Sequence, residues 1–293
     1  IQADRSDNMK KTDIEFLQSE VKRCPYLVHA SNILTRYDKH DKVDVLESVV
    51  PAYMAYCAAN HETGFDLPTI SKRVAALNAY YDVLHDLGLE GNKVYSAQTK
   101  FRPSVLEEFM ALLFRDFLEQ KRKEIPAPKL SIGSVKAYSN LYFYGKDFSS
   151  FARNPELGIN VKDQDFAIYR RVSLSLDENE PMLANLPVVA LECKTFIDKT
   201  MLEGSVATAE KLKAGNPYTF FGIVAETYDV SMDVNPAYSR IDQIYILRKT
   251  SRRGAKREID PNVVFSMIKD VQAHLEKPWS NIEQKLKSTG MLI

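Results

Sequence analysis

The hydrophobic period of this 293-residue chain changes near residue 130, and that change limits its fold more than any other feature. Upstream, apolar residues recur at helical spacing: Ile14, Leu17 and Val21 in residues 13–23, then Val45, Val49, Tyr53 and Tyr56 in 43–59. Residues 69–87 place Val74, Leu77, Tyr80, Tyr81 and Leu84 on one face, with Gly88 as a stop. The clearest helix spans 104–120, with Leu106, Met110, Leu113 and Phe117 as its buried stripe. Pro103 and Ser104 read as its start, and Ser104-Val105-Leu106-Glu107 matches a capping box. Residues 124–134, with Pro126, Pro128 and Gly133, read as a loop. Beyond it the chain breaks into short aromatic and β-branched segments at 139–145, 165–174, 187–192, 218–226 and 241–248. Helical stretches at 199–213 and 261–276 interrupt and close this series. Three successive strands suggest an antiparallel meander, and a helical crossover to the next strand suggests a parallel addition. The expected class is α/β (α+β): a mixed central sheet flanked by helices, in 101–293, preceded by a helical region in 1–100.

Composition excludes several functional classes. Apolar residues at 45% and charged ones at 27% rule out a disordered chain, and 39 basic against 39 acidic residues rule out a polycation. No run approaches the ~18 apolar residues of a membrane span. Three scattered cysteines, Cys24, Cys57 and Cys193, do not make a disulfide scaffold, and an odd count fits a reducing, cytoplasmic setting. Cys57 and His61 lack the further ligands a zinc site needs. The chain begins at Ile1 rather than Met, which leaves room for a native start upstream, and nothing present resembles a leader.

One constellation carries chemistry. Pro187-Val188-Val189-Ala190-Leu191 is an apolar strand that ends in Glu192-Cys193-Lys194. Alternation along a strand projects Glu192 and Lys194 together and Cys193 to the other face. Upstream, Asp165 directly precedes the apolar Phe166-Ala167-Ile168. If the two strands pair as a hairpin, Asp165 and Glu192 meet. Two converging carboxylates make a hard-oxygen site suited to Mg²⁺, and an adjacent lysine can hold or activate a water and offset phosphorane charge. Glu-x-Lys also occurs at Glu20-Lys22, Glu119-Lys121 and Glu283-Lys285, but in helical or terminal patterns where the two side chains diverge. Only the copy at 192–194 ends a buried strand.

These residues resemble the PD-(D/E)XK nuclease superfamily, whose α-β-β-β-α-β core order matches residues 104 to about 226. The longer text Glu192-Cys193-Lys194-Thr195-Phe196-Ile197-Asp198-Lys199-Thr200-Met201 is similar to a group of type II restriction endonucleases. The resemblance implies a Mg²⁺-dependent enzyme that hydrolyses duplex DNA at a short specific sequence, leaving a 5′-phosphate and a 3′-hydroxyl. It implies Asp165 and Glu192 as metal ligands and Lys194 as the catalytic lysine. Gln164 stands where the family has proline, and Asp163 shares a strand face with Asp165, so Asp163 is a rival ligand; Asp165 is preferred because it abuts the apolar run. Family members often add an acid from the first core helix, here Glu107 or Glu108. Glu107 has another use as the capping-box partner, and Glu108 has a default reading as a solvated helix residue.

Positive charge clusters in the same half of the chain. Arg248, Lys249, Arg252, Arg253, Lys256 and Arg257 fall within ten residues, interleaved with Thr250, Ser251 and Gly254. Such a loop suits phosphate contacts or base edges in the major groove, against the plainer reading of a solvated loop. Lys72 and Arg73, at the start of the 69–87 helix, are weaker DNA-contact candidates beside their reading as a bundle rim. Tyr138, Tyr142 and Tyr144 read as sheet packing. One active site cuts one strand, so a double-strand break needs two subunits or two sequential binding events; the resemblance implies a homodimer or a dimer with a related subunit, with a cognate DNA methyltransferase as functional partner and no membrane. The competing readings are a nuclease of repair, recombination or transposition, a non-catalytic DNA-binding module and a protein-interaction domain.

Overall fold

A computed structural model describes residues 2–41, 43–89, 95, 100–125, 129–176, 180–277, 279 and 281–291. Four helices open the chain: α1 (Gln2–Arg23), α2 (Val28–Asp38), α3 (Val43–Ala59) and α4 (Leu67–Asp86). Helix α5 (Pro103–Glu124) leads into a sheet of β1 (Leu130–Tyr144), β2 (Glu156–Leu174), β3 (Met182–Ile197), β4 (Phe220–Tyr228) and β5 (Gln243–Ile246). Short α6 (Phe148–Arg153) joins β1 to β2, α7 (Lys199–Gly215) crosses from β3 to β4, and α8 (Pro261–Glu276) and α9 (Ile282–Ser288) follow β5.

The strand order is β1-β2-β3-β4-β5. The first three strands are antiparallel, and β4 and β5 add in parallel. The meander and the crossover are both as expected from the pattern of the sequence. Strand β1 starts at Leu130, inside the segment read as a loop, and Pro126 and Pro128 of that segment lie outside the described residues.

Alternation sorts β3 and β4 between two apolar layers. Val189, Leu191, Cys193 and Val224 face a cluster built from α1–α5 and α8, whereas Ala190, Phe221, Ile223 and Ala225 face α7. Covered on both sides, β4 is buried continuously from Phe220 to Glu226, as a parallel strand between two layers should be. The end of α7 lies so close to β1 that a Cβ on Gly215 would stand 1.8 Å from the Ser139 carbonyl oxygen. The apolar core also crosses position 100 without a seam: Tyr56 of α3 meets Phe109 of α5 with ring centroids 6.5 Å apart, and further along α5 Phe114 stacks on Phe166 of β2 at 5.5 Å.

Two departures from the sequence reading have physical causes. Helix α5 is already helical at Arg102 (φ −68°, ψ −45°), so Ser104 lies within the first turn and no capping box forms. The Ser104 hydroxyl instead donates to the Phe101 carbonyl and accepts from Asn32. The second concerns β1, whose last residues, Leu141 to Tyr144, are exposed rather than packed. There the β1–β2 hairpin runs past the rest of the sheet and pairs only with itself, Leu141 with Ile159 and Tyr144 with Glu156.

Buried charge fastens β4 to the helical region. Glu226 is bound by Arg102 at 2.7 Å and by Arg248 at 2.8 Å, and the Arg102 guanidinium lies 3.6 Å over the Tyr81 ring. Burial pushes the Glu226 carboxyl up, and the two guanidiniums outweigh it and hold the group below its ordinary value. A carboxyl lowered in the folded state lends stability above its unfolded pKa and loses it as pH falls through the folded value. Denaturant titrations should therefore show stability dropping as pH falls below ~4.3, the ordinary glutamate value. Glu226→Gln should cost about 3 kcal/mol at pH 7 and flatten that acid limb, because it strands the buried Arg102 guanidinium and the half-buried one of Arg248.

Candidate active site

The site lies where the sheet forks. Pairing of β2 with β3 ends at Phe166 and Leu191. Past that pair β2 continues along β1, while β3 continues along β4 as far as Ile197 and Tyr228. Asp165 and Glu192 are the first residues beyond the fork, one on each arm. A bulge aims the aspartate: β1 advances two residues from Gly133 to Val135 while β2 spends three from Ala167 to Gln164. Opposite it, Gly133 adopts φ +119°, and a Cβ there would come within 3.2 Å of Tyr26.

Asp165 closes the fork with its own side chain. Its Oδ2 accepts the Cys193 backbone N–H at 3.0 Å and the Lys194 ammonium at 3.1 Å. Lys194 Nζ also stands 3.5 Å from Glu192 Oε2, which accepts the Ser205 hydroxyl of α7 at 2.6 Å. One oxygen of each carboxylate is thus pinned by protein donors. Glu192 Oε1 has no hydrogen bond from a described residue, and Asp165 Oδ1 has only the exposed Lys100 ammonium, at 3.9 Å. Burial works to lower Lys194, but Asp165 and Glu192 outweigh it and hold the ammonium above its ordinary value.

The two glutamates of α5 face different neighbours, as a helical step of ~100° per residue requires. Burial, and then the charge of Asp165, push the Glu107 carboxyl up to about 7, with Lys100 and Lys194 pulling it back. Glu107 therefore belongs to the electrostatic surroundings of the fork. Glu108 points away and is fully buried. Its Oε2 accepts the backbone N–H groups of His29 at 2.8 Å and Ala30 at 3.1 Å, and its Oε1 accepts the Tyr53 hydroxyl at 2.6 Å. It satisfies the first turn of α2, which has no side-chain cap of its own. The expectation of a solvated Glu108, or of one beside a metal, is corrected: it is a structural carboxylate.

Asp163 is exposed, in register with Lys136 of β1, and takes no part in the Asp165–Lys194–Glu192 contacts. Among the described residues no group of three or more His, Cys, Asp and Glu side chains is clustered as a metal cage. The fork still fits Mg²⁺, which needs only one or two carboxylates because it keeps several waters and takes substrate phosphate oxygens. Asp165 Oδ1 and Glu192 Oε1 are hard donors with unused lone pairs.

The proposed DNA contacts separate into two kinds. Arg73 is fully buried and spends its guanidinium on Asn60, the Leu112 carbonyl and Asp116, while Arg248 is held on Glu226. Both are corrected to structural arginines. Lys72, Lys249, Arg252 and Lys256 are exposed but paired, with Glu62, Asp260, Asp229 and Asp82 respectively. Arg253 and Arg257 are exposed, and Arg257 reaches the Lys249 carbonyl. Arg252 packs on β3 itself: its guanidinium stands 4.3 Å over Phe196, two residues beyond Lys194.

Comparison with known proteins gives the family and the fold. The model of the Bpu10I restriction endonuclease family matches residues 98–262, more than half of the chain. The chain belongs to the Bpu10I restriction endonuclease family. It is a type II site-specific endonuclease, a hydrolase of phosphodiester bonds, and its fold is restriction-endonuclease-like. A solved structure described as the native BbvCI A2B2 tetramer at low resolution superposes with a TM-score of 0.67. The two share 22% identity over 86% of this chain and 95% of the other. No curated protein matches. Among the described residues of the endonuclease, no helix is long and apolar enough to cross a membrane.

Two site residues escaped the sequence reading. Lys100 sits outside any motif and adopts a left-handed φ of +48°, uncommon for a residue with a side chain. Ser205 lies eleven residues past Lys194, and only the packing of α7 under β3 brings it to Glu192. The assignment of Glu108 is open to a stability measurement. Glu108→Ala removes three hydrogen bonds and leaves two buried N–H groups unpaired, so it should cost about 3 kcal/mol in urea unfolding. A change within ~0.5 kcal/mol, the ordinary range for surface substitutions, would return Glu108 to the solvent-facing class.

Proposed function

We propose that this endonuclease cuts both strands of duplex DNA at a short specific sequence in a Mg²⁺-dependent hydrolysis centred on Asp165, Glu192 and Lys194. The observation that carries this reading is the half-pinned state of both carboxylates around one shared lysine. Asp165 and Glu192 would hold the ion. Bound there, Mg²⁺ supplies Lewis-acid polarisation of the scissile phosphate and lowers the pKa of a water.

The residues around it have separable tasks. Lys194, an ammonium between the two acids, donates to the attacking water and to the phosphate oxygen on which charge grows. Cys193 contributes its backbone N–H to Asp165, while its thiol lies buried on the opposite face, so its side chain takes no part in the chemistry. Glu107, pushed up to about 7 by burial and then by Asp165, is only part-ionised near neutral pH, and a divalent cation in the fork would favour its charged form. Lys100 and Arg252 flank the fork with exposed cations that can meet the DNA backbone, and Arg253, Lys256, Arg257, Lys249 and Lys72 extend the positive surface. Hydrolysis of this type leaves a 5′-phosphate and a 3′-hydroxyl.

One such fork cuts one strand, so two copies, or this chain and a related one, act together on a duplex. The A2B2 description of the BbvCI structure supports an assembly of more than one subunit. A cell that holds an active enzyme of this kind must protect its own sites, which makes a cognate DNA methyltransferase the functional partner.

Incubation of plasmid and genomic DNA with the protein should give discrete fragments in Mg²⁺ and none in EDTA. Lys194→Ala should slow cutting by roughly 10²–10³-fold, the loss typical of removing one transition-state donor. DNA binding in gel-shift assays should stay within a few fold of the unmodified protein. Cutting at the normal rate by Lys194→Ala would place the active site elsewhere, and structure-dependent nicks in place of discrete fragments would favour a repair-type nuclease.

A further inference from the structure

Ser205 is fully buried on the α7 face that packs under β3. A buried serine inside a helix ordinarily donates back to the carbonyl four residues earlier. Other hydroxyls in this chain do so: Thr35 to Ser31, Ser71 to Leu67 and Thr208 to Gly204. Ser205 does not donate to Met201; its one proton goes to Glu192 Oε2 at 2.6 Å. Short O–H···O⁻ bonds of this length are the strong, charge-assisted kind.

The consequence falls on the other oxygen. A glutamate side chain has three rotatable bonds, and Lys194 at 3.5 Å is too long a contact to orient the carboxylate by itself. The Ser205 hydroxyl approaches from α7, so Oε2 is anchored on that side and Oε1 is the oxygen left without a described donor. Asp165 is anchored in the same way by the rigid Cys193 N–H of β3. The two acids thus have matched restraints, one from backbone and one from a helix.

We propose that Ser205 is a positioning residue for divalent-cation binding: it fixes Glu192 so that Oε1 faces the cation, and it does not touch DNA or the reacting atoms. The inference rests on the reading of Glu192 as a metal ligand. Removing such an outer partner typically costs 10–100-fold in metal affinity.

The test uses the full-length protein with Ser205→Ala, which keeps the packing and deletes only the oxygen, and Ser205→Thr, which keeps the hydroxyl. Titration calorimetry with MnCl₂ in the absence of DNA reads cation affinity directly. Cleavage against MgCl₂ concentration reads the half-saturating level, and KM for DNA is measured at saturating Mg²⁺. Ser205→Ala should weaken Mn²⁺ binding and raise the half-saturating Mg²⁺ level by about 10-fold or more, with KM for DNA unchanged. Ser205→Thr should recover most of that loss. Unchanged cation affinity in Ser205→Ala overturns the inference, as does a loss equal in both variants, which would mark a packing effect. Failure of the underlying reading has its own signature, because Glu192→Gln would then bind Mn²⁺ as well as the unmodified protein.

Discussion

A single carboxylate oxygen, Asp165 Oδ2, holds the two arms of the sheet together at the point where their backbones stop pairing. The last β2–β3 pair is Phe166 with Leu191, and one residue further the Asp165 side chain takes the Cys193 N–H that a backbone carbonyl would otherwise have taken. A buried N–H must find an acceptor somewhere, so a fork in a sheet creates a demand for one. An aspartate at a bulge meets that demand with one oxygen and keeps the second, whose one contact among the described residues is the Lys100 ammonium at 3.9 Å. The fork, the bulge and the site are one feature. A straight β2 paired with β3 to its end would bury the same backbone groups and leave no place for an acid.

The helical region and the sheet are joined by charge as well as by apolar contact. Glu108 of α5 satisfies the start of α2, and Arg102, six residues earlier at the N-cap, reaches Glu226 at the far end of β4. Helix α5 and its N-cap therefore serve three places: Glu107 toward the fork, Glu108 toward the bundle and Arg102 toward Glu226, which it shares with Arg248. Burial pushes the His29 imidazole down to about 3, so it sits neutral between Ser104 and Tyr80 at the same junction. The basic segment after β5 inherits its position from this frame. Arg248 is locked on Glu226, and Arg252 is laid over Phe196 beside Lys194.

Much of this was legible in the sequence, and what was not has identifiable physical causes. The mixed sheet followed from strand-length segments around one helical crossover, and Asp165, Glu192 and Lys194 followed from an apolar strand that ends in charge. The choice between Asp163 and Asp165 was not legible, because alternation treats residues two apart as equivalent and the bulge that separates them leaves no mark in β2. One sequence could not tell Glu107 from Glu108: the capping-box pattern gave Glu107 a task the helix start at Arg102 makes unnecessary, and nothing in it showed that Glu108 turns inward to the start of α2. Arg73 and Arg248 read as surface cations because nothing in one sequence reveals that Asn60, Asp116 and Glu226 wait inside for a guanidinium. Ser205 was invisible because hydroxyls carry no periodicity, and only tertiary packing selects its partner.

The account depends on Asp165 and Glu192 presenting their unpinned oxygens to one cation. Crystals soaked in MnCl₂ and measured at a wavelength sensitive to manganese test this directly. The account predicts an anomalous peak in the fork within about 2.0–2.3 Å of Asp165 Oδ1 and Glu192 Oε1, close to the Mg–oxygen distance. Density at Asp163, or a manganese ion elsewhere with the fork still closed around Lys194, would contradict it.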